Sequence, residues 1–169
     1  MRIRMRALAS ILALLLAVAL PATAEDEVAP YDVGDAIAGF TLEDQHGDEG
    51  SVDEQTRVIL FSRDMAGGDL LKEALADVDA EALEARGAVY VSDISGMPAL
   101  VSRMMAVPAM RRRPYDLLLD RDGETTARFP DAEERATLIY LDGLRIERIE
   151  HLAVAAAVRG SLGLEPAAE

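Results

Sequence analysis

The 169 residues carry 31 Asp and Glu against 17 Lys and Arg, a formal net charge of −14, and contain no cysteine. So acidic a chain repels nucleic acid and anionic membrane surfaces, which excludes both as partners. Without cysteine there is no disulfide, no thiolate nucleophile and no thiol–disulfide exchange, so the fold must be held by its core alone.

Arg2, Arg4 and Arg6, an apolar stretch from Ala7 to Leu20, and Pro21-Ala22-Thr23-Ala24 form the three parts of a secretory signal peptide. The apolar stretch is shorter than the roughly 20 residues that span a bilayer, so residues 1–24 are expected to be cleaved after Ala24, leaving no membrane anchor. The cleaved chain is expected in a bacterial periplasm. Residues 25–35 are acidic, contain Pro30 and Gly34, and read as an extended entry segment. The domain is expected over 36–164, with a tail at 165–169.

Residues 37–42 alternate apolar and small side chains ahead of the polar cluster Glu43 to Asp48, which predicts a strand and a turn, with the chain crossing back over Ser51 to Gln55. Val58 to Arg63 is a short apolar run. It meets Gly67-Gly68 and then an amphipathic segment with Leu71, Leu75, Val78 and Ala82 on one face, a strand feeding one long helix that Asp69 would cap and Gly87 would stop. Ala88 to Asp93 predicts a strand parallel to the first, because a helix of crossover length separates them. A second helix follows from Met97-Pro98, with Leu100, Val101, Met104 and Met105 as its apolar face, ended or kinked by Pro108. Tyr115 to Asp120 predicts a strand, Asp120-Arg121-Asp122-Gly123 a turn, and Glu124 to Phe129 a strand pairing back on it. Asp142-Gly143 between two alternating runs predicts a hairpin, and His151 to Leu162 a closing helix.

This order resembles a thioredoxin-like domain of the peroxiredoxin and cytochrome-maturation-thioredoxin type over about residues 36–162. Phe40-Thr41-Leu42-Glu43-Asp44-Gln45-His46-Gly47 matches the family's opening F-x-L-x-D-x-x-G, and Leu117 to Gly123 matches its apolar strand followed by D-x-x-G. The resemblance implies an α/β fold with a central mixed sheet of about five strands flanked by helices in three layers. It places Ala66-Gly67-Gly68-Asp69 where the family has its CxxC, and Arg135-Ala136 where it has a cis-proline. The family's redox chemistry is therefore not expected. More closely, the chain resembles a group of short, exported, cysteine-less bacterial proteins, some described as flavin-dependent dehydrogenases. No G-x-G-x-x-G follows a strand here, so neither a flavin nor any other cofactor is expected.

The candidate contact surface is the turn Asp64, Met65, Ala66, Gly67, Gly68 and Asp69, with Arg135 beside it and an unidentified protein or peptide as partner. No catalytic or metal-binding residue is expected. Asp120 and Asp122 supply too few ligands for calcium, and His46 and His151 lie in different elements with no other ligand at metal spacing. Arg111-Arg112-Arg113 reads as a solvated helix end, with recognition of a carboxylate or phosphate as the alternative. Met97, Met104, Met105 and Met110 read as core-facing, with an adaptable peptide-binding patch or thioether copper ligands as the alternatives. The expectation is an exported, redox-inactive binding or scaffold domain. Its rival, an oxidoreductase-type enzyme that uses no thiols, finds no nucleophile or cofactor motif in the sequence.

Overall fold

A computed structural model of the chain describes residues 29–166. The leader and its cleavage site lie outside that range, as do residues 25–28. Among the described residues no helix is long and apolar enough to cross a membrane.

The chain enters through β1 (Phe40–Glu43) and β2 (Glu49–Val52), an antiparallel hairpin of their own. The main sheet holds five strands: β3 (Val58–Ser62), β4 (Ala88–Asp93), β5 (Leu118–Asp120), β6 (Ala136–Asp142) and β7 (Arg145–Leu152), in the order β5-β4-β3-β6-β7. The pairs β3·β4 and β4·β5 are parallel, while β3·β6 and β6·β7 are antiparallel, so the sheet is mixed as expected. β3 is buried along its whole length because both faces of the sheet are covered. Val58 and Leu60 point into one core with Leu71, Leu75, Leu138 and Val158; Ile59 and Phe61 point into the other with Phe129, Ile139 and Ile146. The first core lies under the helices. The second is closed by the β1–β2 hairpin, the segment around Tyr31 and Ile37, and the loop that carries Phe129.

Several elements depart from the sequence expectation. The long helix is two helices, α1 (Met65–Ala74) and α2 (Ala80–Glu84), and Asp69 caps neither. Asp64 caps α1 and Asp79 caps α2, each accepting the backbone N–H three residues on. The break is held by Arg159, buried on α5 (Ala155–Ser161), whose guanidinium donates to the Ala74 carbonyl at the end of α1 and to the Asp77 carboxylate in the gap. An arginine thus satisfies a helix-end carbonyl that has no intrahelical partner. Glu124 to Phe129 is not a strand but a run of turns, because Asp120 draws the chain back by accepting from Gly123 N–H, Thr126 N–H and the Thr126 hydroxyl. The β6–β7 loop is Gly143-Leu144, one residue later than predicted, with both residues at positive φ (52° and 68°) as a two-residue hairpin of this hand requires. β7 runs through His151 to Leu152, so the closing helix starts four residues late.

The second helix does not end at Pro108. α3 (Ala99–Val101), a π-helical turn (Ser102–Ala106) and α4 (Val107–Met110) run on from one another, and Pro108 falls in the first turn of α4, where the wider turn before it leaves room for a residue without an N–H.

Candidate functional site

β3 ends at Ser62 and α1 begins at Met65, so the chain turns at the C-terminal edge of the parallel strands. That edge is where α/β sheets place their clefts. Asp64 has extended backbone (φ −110°, ψ 171°) and divides its carboxylate between two backbone donors: Oδ1 accepts from Gly67 N–H and Oδ2 from Glu134 N–H, both at 2.7 Å. Glu134 is held at a φ of 58° to present that N–H. Gly67 is required here by contact. A Cβ on it would stand 2.3 Å from the Arg135 carbonyl oxygen. The structure therefore brings Asp64 and Gly67 against Glu134-Arg135, two segments 70 residues apart in sequence. Asp64, rather than Asp69, caps the helix, two residues ahead of Ala66.

The remaining predicted residues divide. Met65 projects into solvent at 77% exposure, while Ala66 and Gly68 are half-buried. Asp69 is exposed one turn into the helix, 3.9 Å from Lys72. Arg135 lies on the surface, and its carbonyl makes the contact with Gly67.

Below the turn, Ser62 Oγ lies 3.3 Å from both Tyr90 Oη and Ser92 Oγ, a row of buried hydroxyls across β3 and β4. Burial pushes the Tyr90 pKa up, against the Ser62 hydrogen bond and the positive charge of Arg113. Beside the row, Arg63 stacks on Phe61, donates to Asp93 at 3.0 Å and to the Thr126 carbonyl at 2.6 Å, and so ties the end of β4 to the loop after β5. No histidine faces these hydroxyls. His151 Nδ1 is on β7, 2.9 Å from Thr137 Oγ1, and His46 is exposed in the β1–β2 turn, so no serine here has a base to activate it. Among the described residues no group of three or more His, Asp or Glu converges as metal ligands. Asp120 and Asp122 serve their turn, Asp122 with its pKa lowered chiefly by the Glu124 N–H.

Between α1 and the second helical segment lies a groove of about 780 Å³, floored by Tyr90, Ser92 and Ile94 and walled by Met65, Met97, Val101 and Met110. This is the volume of a ligand cleft. It exists because the segment over 99–110 does not lie flat on the core, which corrects the reading of Met104 and Met105 as core-facing, whereas Met110 packs against the first core. Met104 and Met105 are 66% and 68% exposed and Leu100 is 70% exposed; Met97 and Met110 line the groove. The arginine run divides as well. Arg111 donates to the Gln45 carbonyl at 2.7 Å and Arg112 to the Pro108 carbonyl at 3.2 Å, while Arg113 turns into the groove wall. Sequence reasoning singled out the turn and the arginine run but neither the hydroxyl row nor which of the three arginines turns inward.

No protein-family model and no curated protein matches the chain. Solved structures do. A putative protein disulfide isomerase from Bacteroides thetaiotaomicron superposes with a TM-score of 0.55 at 15% identity, over 78% of this chain and 86% of that one. A putative thiol:disulfide interchange protein DsbE from Chlorobium tepidum gives 0.50 at 15% identity, over 78% and 93%. A peroxiredoxin-like protein from Aquifex aeolicus gives 0.50 at 9%, over 79% and 87%. At such identities the likeness concerns backbone architecture, and together with the mixed five-stranded sheet and the strand-to-helix turn it identifies the chain as a thioredoxin-like α/β fold that has no cysteine.

Proposed function

We propose that the chain is an exported, redox-inactive thioredoxin-like domain that binds a protein or peptide partner in the groove beside residues 64–69. The observation that carries this reading is the groove itself. A cleft of about 780 Å³ opens where the fold turns from β3 into α1, rimmed by apolar side chains that the core leaves uncovered. Exposed apolar surface of this kind marks an interaction site, and methionine is suited to partners of varied shape. The leader pattern of residues 1–24 supports export to the periplasm.

The test is retention of a mixed library of apolar hexapeptides on the immobilised chain from Glu25 onward, compared with Met65→Asp. Met65 is exposed, so its substitution leaves the core intact while placing charge at the rim. Retention by the parent and its loss in the variant is the expected result; equal retention by both removes the groove from consideration.

A further inference from the structure

Among the described residues Arg113 has no carboxylate partner, and its guanidinium lies beside the Tyr90 and Tyr115 hydroxyls. Its Nη1 is buried and makes no hydrogen bond to a described residue. The other arginines drawn into the protein body are all satisfied: Arg63 by Asp93 and Thr126, Arg86 by the Ala82 and Leu162 carbonyls, and Arg159 by Asp77 and Ala74. Withdrawing a guanidinium N–H from water without an acceptor is unfavourable. The carboxylates that share the groove are otherwise engaged. Asp64 accepts two backbone N–H groups, Asp93 holds Arg63, and Asp69 sits beside Lys72. In a chain of net charge −14, Arg113 places a positive charge on this wall.

We propose that Arg113 receives a carboxylate of an apolar peptide segment lying in the groove, its planar fork suited to holding both oxygens. The inference rests on the reading of the groove as a peptide-binding site and adds the chemistry of the partner: apolar side chains against the methionine wall and one carboxylate, either a chain terminus or an acidic side chain. A peptide is favoured over a small amphiphile because the apolar surface continues past the cleft, over Leu100, Met104 and Met105 on the outer face of the helical segment. A small molecule seated in the cleft would leave that ridge uncovered.

The test uses the chain from Glu25 onward and three synthetic hexapeptide pools of Leu, Met, Phe, Val and Ala: free C-terminal acid, C-terminal amide, and amide with one internal Glu. The free acid, the Glu-containing amide, or both should bind about 10- to 100-fold more tightly than the plain amide, the range expected for hydrogen bonds to a charged group; which pool binds identifies the source of the carboxylate. Arg113→Gln should erase the difference and leave the weaker apolar binding, whereas Arg113→Lys retains part of it. Urea midpoints of these variants control for folding. If Arg113→Gln does not fold, Val101→Asp, at an exposed groove position, replaces it: a carboxylate there should repel the acidic pools more than the plain amide. Equal binding of all three pools by the parent overturns the role of Arg113 and leaves the groove reading standing. Failure of every pool to bind overturns both. Tight binding of dodecanoate that depends on Arg113, without peptide binding, replaces the peptide by a small amphiphile and overturns the proposal as stated.

Discussion

Asp64 joins two chain segments with one carboxylate, and its removal leaves the first turn of α1 and the Glu134 N–H without their acceptor. Asp64→Ala is expected to lower stability by about 1–3 kcal/mol, measured as the shift in urea midpoint at unchanged m-value. Asp69→Ala should change it by less than about 0.5 kcal/mol, because Asp69 is exposed and caps nothing. The neighbouring glycines give opposite signs in the same measurement. Gly67→Ala forces a methyl against the Arg135 carbonyl and should destabilise by about 1–3 kcal/mol. Gly68→Ala meets nothing closer than 3.8 Å inside a helix and should stabilise by about 0.5–1 kcal/mol. This pair also explains how the cap was misplaced from sequence. Gly67-Gly68 reads as a turn when no neighbour is known, which pushes the helix start to Asp69, whereas Gly67 belongs to the helix and is needed there only because residues 134–135 pass so close.

The gap between α1 and α2 depends on Arg159 and Asp77, and the hydrogen bond from Arg159 holds the Asp77 pKa below the ordinary aspartate value of 3.8. The sign of the pH effect follows. The unfolded chain takes up the proton at higher pH than the folded one, so the contribution is present above the unfolded value and is lost as pH falls through the folded value. The stability advantage of the parent over Asp77→Asn should hold at pH 6 and shrink on acidification below 3.8; an advantage that grows on acidification would contradict the pairing. Elements of this kind differ in how far their sequences reveal them. β3, β4 and the β6–β7 hairpin were legible because alternation and a two-residue turn are local signals. The break in the long helix was not, since its cause lies 82 residues away at Arg159. The exposure of the segment beside the groove was hidden for a related reason: Leu100, Val101, Met104 and Met105 have helical spacing whether a core covers them or not, and only the packed molecule shows that none does.

For the whole molecule, the second core is closed partly by chain that precedes the hairpin. Tyr31 packs edge-on against Phe129 and under Arg128, its N–H donates to the Arg128 carbonyl, and Gly34 donates to Ile146. A chain beginning at Ala36 should therefore unfold at lower urea than one beginning at Glu25, by on the order of 2 kcal/mol for one partly buried aromatic and its hydrogen bonds. An unchanged midpoint would show that the segment contributes nothing to the fold. The groove beside α1 carries a different consequence, one of sulfur chemistry. A domain without thiols cannot cycle a disulfide, yet Met65, Met97 and Met110 line its cleft and Met104 and Met105 stand on the ridge beside it. Peroxide reaching a thioether transfers one oxygen, leaves as water, and turns an apolar side chain into a polar sulfoxide. Oxidative stress would thus make the contact surface wetter and less adhesive without touching the core, and methionine sulfoxide reductases would restore it.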